Sequence, residues 1–115
     1  MWHKLLPHSH PHSTLSLIVL LYRREARYGL HWTVWKLSQA FANLAVCDTN
    51  KLLILEHGGV GAFGQCLLRK HAHMTAVQRY TVMCLWHLAF LDLGRAKLKA
   101  RPDIIEAVKA LVLNR

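Results

Sequence analysis

From Leu15 onward, apolar residues return every three or four positions, the period of helices with one buried face. The opening MWHKLLPHSHPH has no such period. It mixes His, Pro and Ser, and reads as a flexible arm over 1–13. Thr14 can cap a helix through Leu15–Tyr22, and RREARYG (Arg23–Gly29) then reads as a charged connection closing on glycine. From His31, the residues Val34, Leu37, Phe41, Leu44 and Ala45 define a helix ending near Cys47. Asp48, Thr49 and Asn50 offer caps for a short helix over 50–57, which Gly58 can stop by turning left-handed. A further helix reads from Val60 to about Leu68, and RKHAHM connects it to the next. Val77, Thr81, Cys84, Leu85, Leu88 and Ala89 then mark a long helix. After Asp92 a short basic helix runs to Pro102, and Asp103 caps a last one, IIEAVKALVL. Alternation never persists, so the expected class is all-α with no β-sheet.

The doubled glycine in EHGGVGAF raises a separate question, because glycine-rich loops can cradle phosphate. This stretch lacks the preceding strand, the GxGxxG spacing and the Lys-Ser/Thr of such a loop, so it reads as a turn between helices. The six acidic residues are scattered. Cys84 and His87, three apart on a helix, lack an orienting third group. No catalytic set assembles, and neither an enzyme nor a cofactor is expected. The arm holds His3, His8, His10 and His12, and Met-Trp-His at a free amino terminus could offer Cu(II) or Ni(II) a square plane; adventitious binding is the reading favoured for it.

Composition narrows the class further. The chain has 115 residues, 53% of them hydrophobic, which suits one domain with a modest core rather than a disordered tail. Lys and Arg outnumber Asp and Glu by 15 to 6, so acidic partners are favoured: acidic protein, nucleic acid or anionic lipid. The longest apolar run, LSLIVLLY, is far short of the roughly 20 residues that cross a bilayer, and no cleavage site follows it. The three cysteines, Cys47, Cys66 and Cys84, form no CxxC and sit among apolar residues. They read as buried free thiols in a reducing, intracellular compartment, cytoplasmic or nuclear.

The helix lengths suggest an internal repeat. Placing AFANLAVCDTNKLLI over CLWHLAFLDLGRAKL, a shift of 44, matches Leu44, Ala45 and Asp48 with Leu88, Ala89 and Asp92, and Lys51 with Arg95. With one inserted residue, EHGGVGAF then lies over KARPDIIEAV. The order NLA and LWHLA late in long helices, NKLLILEHGGVGAF joining two shorter ones, and AVQRYTVMCLW opening the next long helix resembles the armadillo repeat family, with HEAT repeats as the neighbouring pattern. The resemblance implies a right-handed α-solenoid of three-helix repeats, an armadillo-like superhelix. Residues 14–48 would be a partial repeat, 49–91 a complete one and 92–115 another partial one. Both ends would then expose apolar faces, open to self-association.

The resemblance also implies a groove, lined by the long third helices, that binds an extended peptide. If Leu37, Phe41 and Leu44 pack inward, Lys36, Gln39 and Asn43 form the free stripe of one such helix, and Tyr80, Met83 and His87 the equivalent stripe of the next. Asn43 matches the family residue that clamps peptide backbone, since an amide both donates and accepts. His87 departs from it. Gln39 and Met83 stand where nuclear-import members carry Trp, and the positive charge also argues against basic cargo. Arg23, Arg24 and Arg27, with Arg69 and Lys70 one repeat later, are expected to form one basic ridge, and Arg95, Lys97, Lys99 and Arg101 a second cluster. Trp32, Trp35 and Trp86 read as packing residues. The leading expectation is a non-catalytic protein-interaction scaffold. The alternative is a basic helical module that binds nucleic acid or an anionic membrane surface.

Overall fold

Seven helices make up most of residues 14–113, the part of the chain that the computed structural model describes, and no strand occurs among the described residues. They are α1 (Thr14–Tyr28), α2 (His31–Leu44), α3 (Asp48–Glu56), α4 (Gly59–Leu68), α5 (Thr75–Leu88), α6 (Asp92–Lys99) and α7 (Pro102–Leu113). The His-rich arm, its metal reading and Trp2 lie outside the described residues. No helix is long and apolar enough to cross a membrane among the described residues.

The first helix corrects an expectation. RREAR is not a connection: α1 runs through it to Tyr28. The apolar run ends at Tyr22, but the buried stripe does not, because Val19, Tyr22 and Ala26 follow one another at i, i+3 and i+7 and all are buried. Arg, Glu and Ala are good helix formers, so nothing local stops the helix before Gly29. Two expected caps also move. Cys47 is the N-cap residue of α3, with Asp48 already inside its first turn. Pro102 opens α7, where its missing N–H costs nothing, and Asp103 sits in the first turn bound to Arg101. Gly58 does turn left-handed, at φ 86°, between α3 and α4.

The core centres on three rings. Tyr22 of α1 lies 5.0 Å from Phe41 of α2 and 5.2 Å from Phe63 of α4, with Phe41 and Phe63 6.0 Å apart. All three are fully buried. A buried phenol needs a polar partner, and the Tyr22 hydroxyl has two, Ser38 Oγ at 2.7 Å and Cys66 Sγ at 3.3 Å. Burial pushes the Cys66 thiol up to about 11 and the Cys84 thiol higher still. Cys47, expected to be buried, is exposed at the start of α3, where the backbone N–H groups of Asn50 and Thr49 hold its thiol below the ordinary range.

Helices three apart in the chain lie against one another: α1 on α4, α4 on α7, α2 on α5 and α3 on α6. Local geometry repeats at the same spacing. The residues before α2 and α5, Leu30 and Met74, are both extended. Ala45 and Ala89 close those helices with near-identical angles, φ −73°, ψ −1° and φ −69°, ψ −9°. Asp48 then pairs with Lys51, and Asp92 with Arg95, each across three residues.

Large apolar side chains stay exposed at both ends of this series. Leu17, Leu20 and Leu21 do so on α1, and Val112 and Leu113 on α7. Trp32 and Trp86, read as packing residues, are instead 64% and 60% exposed, while Trp35 is partly buried against the core. Each exposed indole lies off the core-facing side of its helix, which Val34, Ser38, Phe41 and Ala42 take on α2, and Val77, Thr81, Cys84, Leu85 and Leu88 on α5.

Candidate functional site

The α2–α5 pairing sets the two expected stripes side by side. On α2, Lys36 and Asn43 are exposed and Gln39 is half-buried; on α5, Met83 is exposed and Tyr80 and His87 are half-buried. Gln39 Nε2 donates to the Tyr80 hydroxyl at 3.3 Å, so the two stripes touch at their middle. Lys36 Nζ rests 4.3 Å from the centre of the Trp35 ring, and the His87 ring packs 5.1 Å from that of Trp86. The result is a strip of mixed polar and apolar side chains with Trp35 and Trp86 beside it. Cys84 and His87 do not meet: Cys84 Sγ points to the Ser38 carbonyl, 3.8 Å away.

The basic residues sort differently from the expected ridge. Because α1 extends to Tyr28, Arg23, Arg24 and Arg27 lie on its last turns rather than in a loop. With Arg101, from the α6–α7 junction, they wall a pocket of about 470 Å³, floored by Gly58, Gly61, Ala62 and Gln65 at the start of α4. Arg23 Nη1 donates to the His57 carbonyl at 3.3 Å. Arg69 and Lys70 follow α4 and do not line this pocket; Lys70 Nζ instead donates to the Tyr28 carbonyl at 3.2 Å. Arg101 is the residue that spacing along the chain could not have added, since only the stacking of α1, α4 and α7 brings it there.

A histidine cluster, also unanticipated, joins the α1–α2 junction to the α4–α5 connection. His31 Nδ1 and His71 Nδ1 are 2.6 Å apart, and His31 also meets the His73 ring edge-on, with centres 5.0 Å apart. One nitrogen of the His31–His71 pair must donate and the other accept, so the contact requires at least one neutral ring. His71 is fully buried, with Nε2 unpartnered. Burial lowers its pKa, the neighbouring His31, Lys70 and His73 lower it further, and the Glu25 backbone opposes them only in part. The unfolded chain therefore binds this proton first as the pH falls. Stability from this site is complete above about pH 6.5 and declines below it, towards the lower folded-state value. Melting temperature followed from about pH 7.5 to 5 should fall, and should fall less for His71→Gln, which does not titrate. Equal slopes for the two proteins would remove His71 from the account.

Compared with known proteins, the chain matches no family model, no curated protein and no solved structure.

Proposed function

We propose that the chain is a non-catalytic protein-interaction scaffold of armadillo type, which binds an extended, acidic segment of a partner along the strip formed by α2 and α5. The observation that carries this reading is the hydrogen bond from Gln39 to Tyr80, which joins two equivalent stripes into one surface. Lys36 and Asn43 flank it on α2, and Met83 and His87 on α5. Support for the repeat comes from the 44-residue recurrence of Asp48–Lys51 as Asp92–Arg95, and of the Ala45 helix end as Ala89. Helices that lie against their equivalents three places on favour a superhelical continuation of the same step. The positive balance of 15 to 6 favours an acidic partner.

The test is parallel capture from a cell extract with wild-type protein and with a Lys36→Ala, Asn43→Ala, His87→Ala variant of unchanged helicity. Partners held by the strip should be lost from the variant and should survive moderate salt on the wild type. Recovery of the same set by both proteins would rule the strip out as the binding surface.

A further inference from the structure

We propose that the pocket walled by Arg23, Arg24, Arg27 and Arg101 binds a small molecule carrying two or more phosphate groups. Four arginines line one pocket with no Asp or Glu among its lining residues, and only Arg101 has a carboxylate partner, Asp103. Among the described residues, Arg23, Arg24 and Arg27 enter no ion pair. Three cations without a carboxylate partner on one wall give a positive field that an anion would neutralise. Guanidinium is the side chain best matched to phosphate, because its planar fork donates two parallel hydrogen bonds to two oxygens.

The details of the wall favour the same ligand. Arg101 gives Nε and Nη2 to Asp103, at 3.0 and 2.9 Å. Its Nη1 is the nearest atom to where a side chain on Gly61 would begin, 3.8 Å away. One edge of the fork thus anchors the arginine while the remaining nitrogen lies over the pocket floor. At Gly58 the Arg23 guanidinium carbon comes within 3.2 Å of the position a β-carbon would take. Glycine there lets the charge settle onto the backbone. Gly58 and Gly61 place the N-terminal end of α4, which no side chain caps, beside these arginines.

Size and chemistry set the ligand class. A volume of about 470 Å³ is that of a small-molecule site and exceeds what a single phosphate fills. Leu20, Tyr28 and Ala62 supply an apolar part of the wall for a carbon skeleton, while the arginines hold its phosphates. The same chemistry is offered by a soluble polyphosphate and by a phosphorylated lipid headgroup.

Two probes separate these sources: inositol hexakisphosphate in calorimetry, and phosphatidylcholine vesicles with and without phosphatidylinositol bisphosphate in co-sedimentation. At least one should bind the wild type. An Arg24→Gln, Arg27→Gln variant should then bind that probe about tenfold more weakly or worse, as expected for lost charge-assisted hydrogen bonds. A Lys99→Gln, Lys109→Gln variant removes the same charge outside the pocket and should bind as the wild type does. Gly61→Leu exchanges glycine for a better helix former at the pocket floor, so it should keep the fold and lose the ligand. Binding of the soluble probe assigns a free polyphosphate, and binding confined to the doped vesicles assigns a lipid headgroup. The proposal is overturned if neither probe binds, if both double variants lose binding equally, or if Gly61→Leu binds as the wild type does. Tight binding of nucleic acid alone would overturn it too. None of these variants touches the α2–α5 strip, so the result is independent of partner capture there.

Discussion

Phe41→Ala should destabilise the protein by about 3–5 kcal/mol, measured as the difference in unfolding free energy in urea. Phe41 is fully buried, and its ring completes a triangle with those of Tyr22 and Phe63. Alanine would remove the apolar contact and leave a cavity where α1, α2 and α4 meet. The walls cannot easily close on it, because the Tyr22 ring is held by its hydroxyl to Ser38 and Cys66. A domain of this size has roughly 5–15 kcal/mol to lose, so the variant should be marginal at ordinary temperatures. A loss below about 1 kcal/mol would mean that these three rings do not organise the core.

The second large effect concerns the contact of α4 with α7. A β-carbon at Gly64 would collide with Ile104, whose Cγ1 lies 2.6 Å from its position, while Cβ at 3.7 Å is in ordinary contact. Ile104 is fully buried on α7, so relieving the clash means repacking a core side chain. Gly64→Ala should therefore cost about 1–3 kcal/mol despite the better helix propensity of alanine, and Ile104→Ala about 2–5 kcal/mol. Together they should cost clearly less than their sum, because shortening Ile104 removes the clash and the new methyl fills part of the hole. A double-mutant cycle should give a coupling of about 1 kcal/mol or more. Additive losses would mean that α4 and α7 are not packed in this register.

How much of this could be read in advance varies from element to element. α2 and α5 follow the apolar period closely, because Val34 and Phe41 on one and Val77, Leu85 and Leu88 on the other anchor their buried faces. The helix through RREAR escapes the apolar period because its stripe continues on a tyrosine and a small alanine between charged residues, a pattern that looks polar by composition. The 44-residue shift marks the stripes of Gln39 and Tyr80 as equivalent surfaces, but their hydrogen bond comes from the packing of α2 on α5. The arginine pocket does not follow from the shift. Its members come from α1 and from the α6–α7 junction, and their meeting depends on how α1, α4 and α7 stack and on how far long side chains reach. In EHGGVGAF, Gly58 does mark a turn while Gly59 and Gly61 already belong to α4, and Gly58 and Gly61 also line that pocket. His71 was illegible for a different reason: a histidine within RKHAHM looks like part of a solvated connection, and only the approach of His31 and the end of α1 encloses it.

The three thiols carry a consequence of their own. Cys47 lies in solvent at the start of α3, while Cys66 and Cys84 are enclosed between helices and kept protonated there by burial. Alkylation at neutral pH is thereby split into an immediate reaction at one position and a gated one at two others. The gated reaction waits for α1, α2, α4 and α5 to separate, so its pace reports how often the layers breathe apart. The native chain thus carries, without any added label, a clock for its own opening.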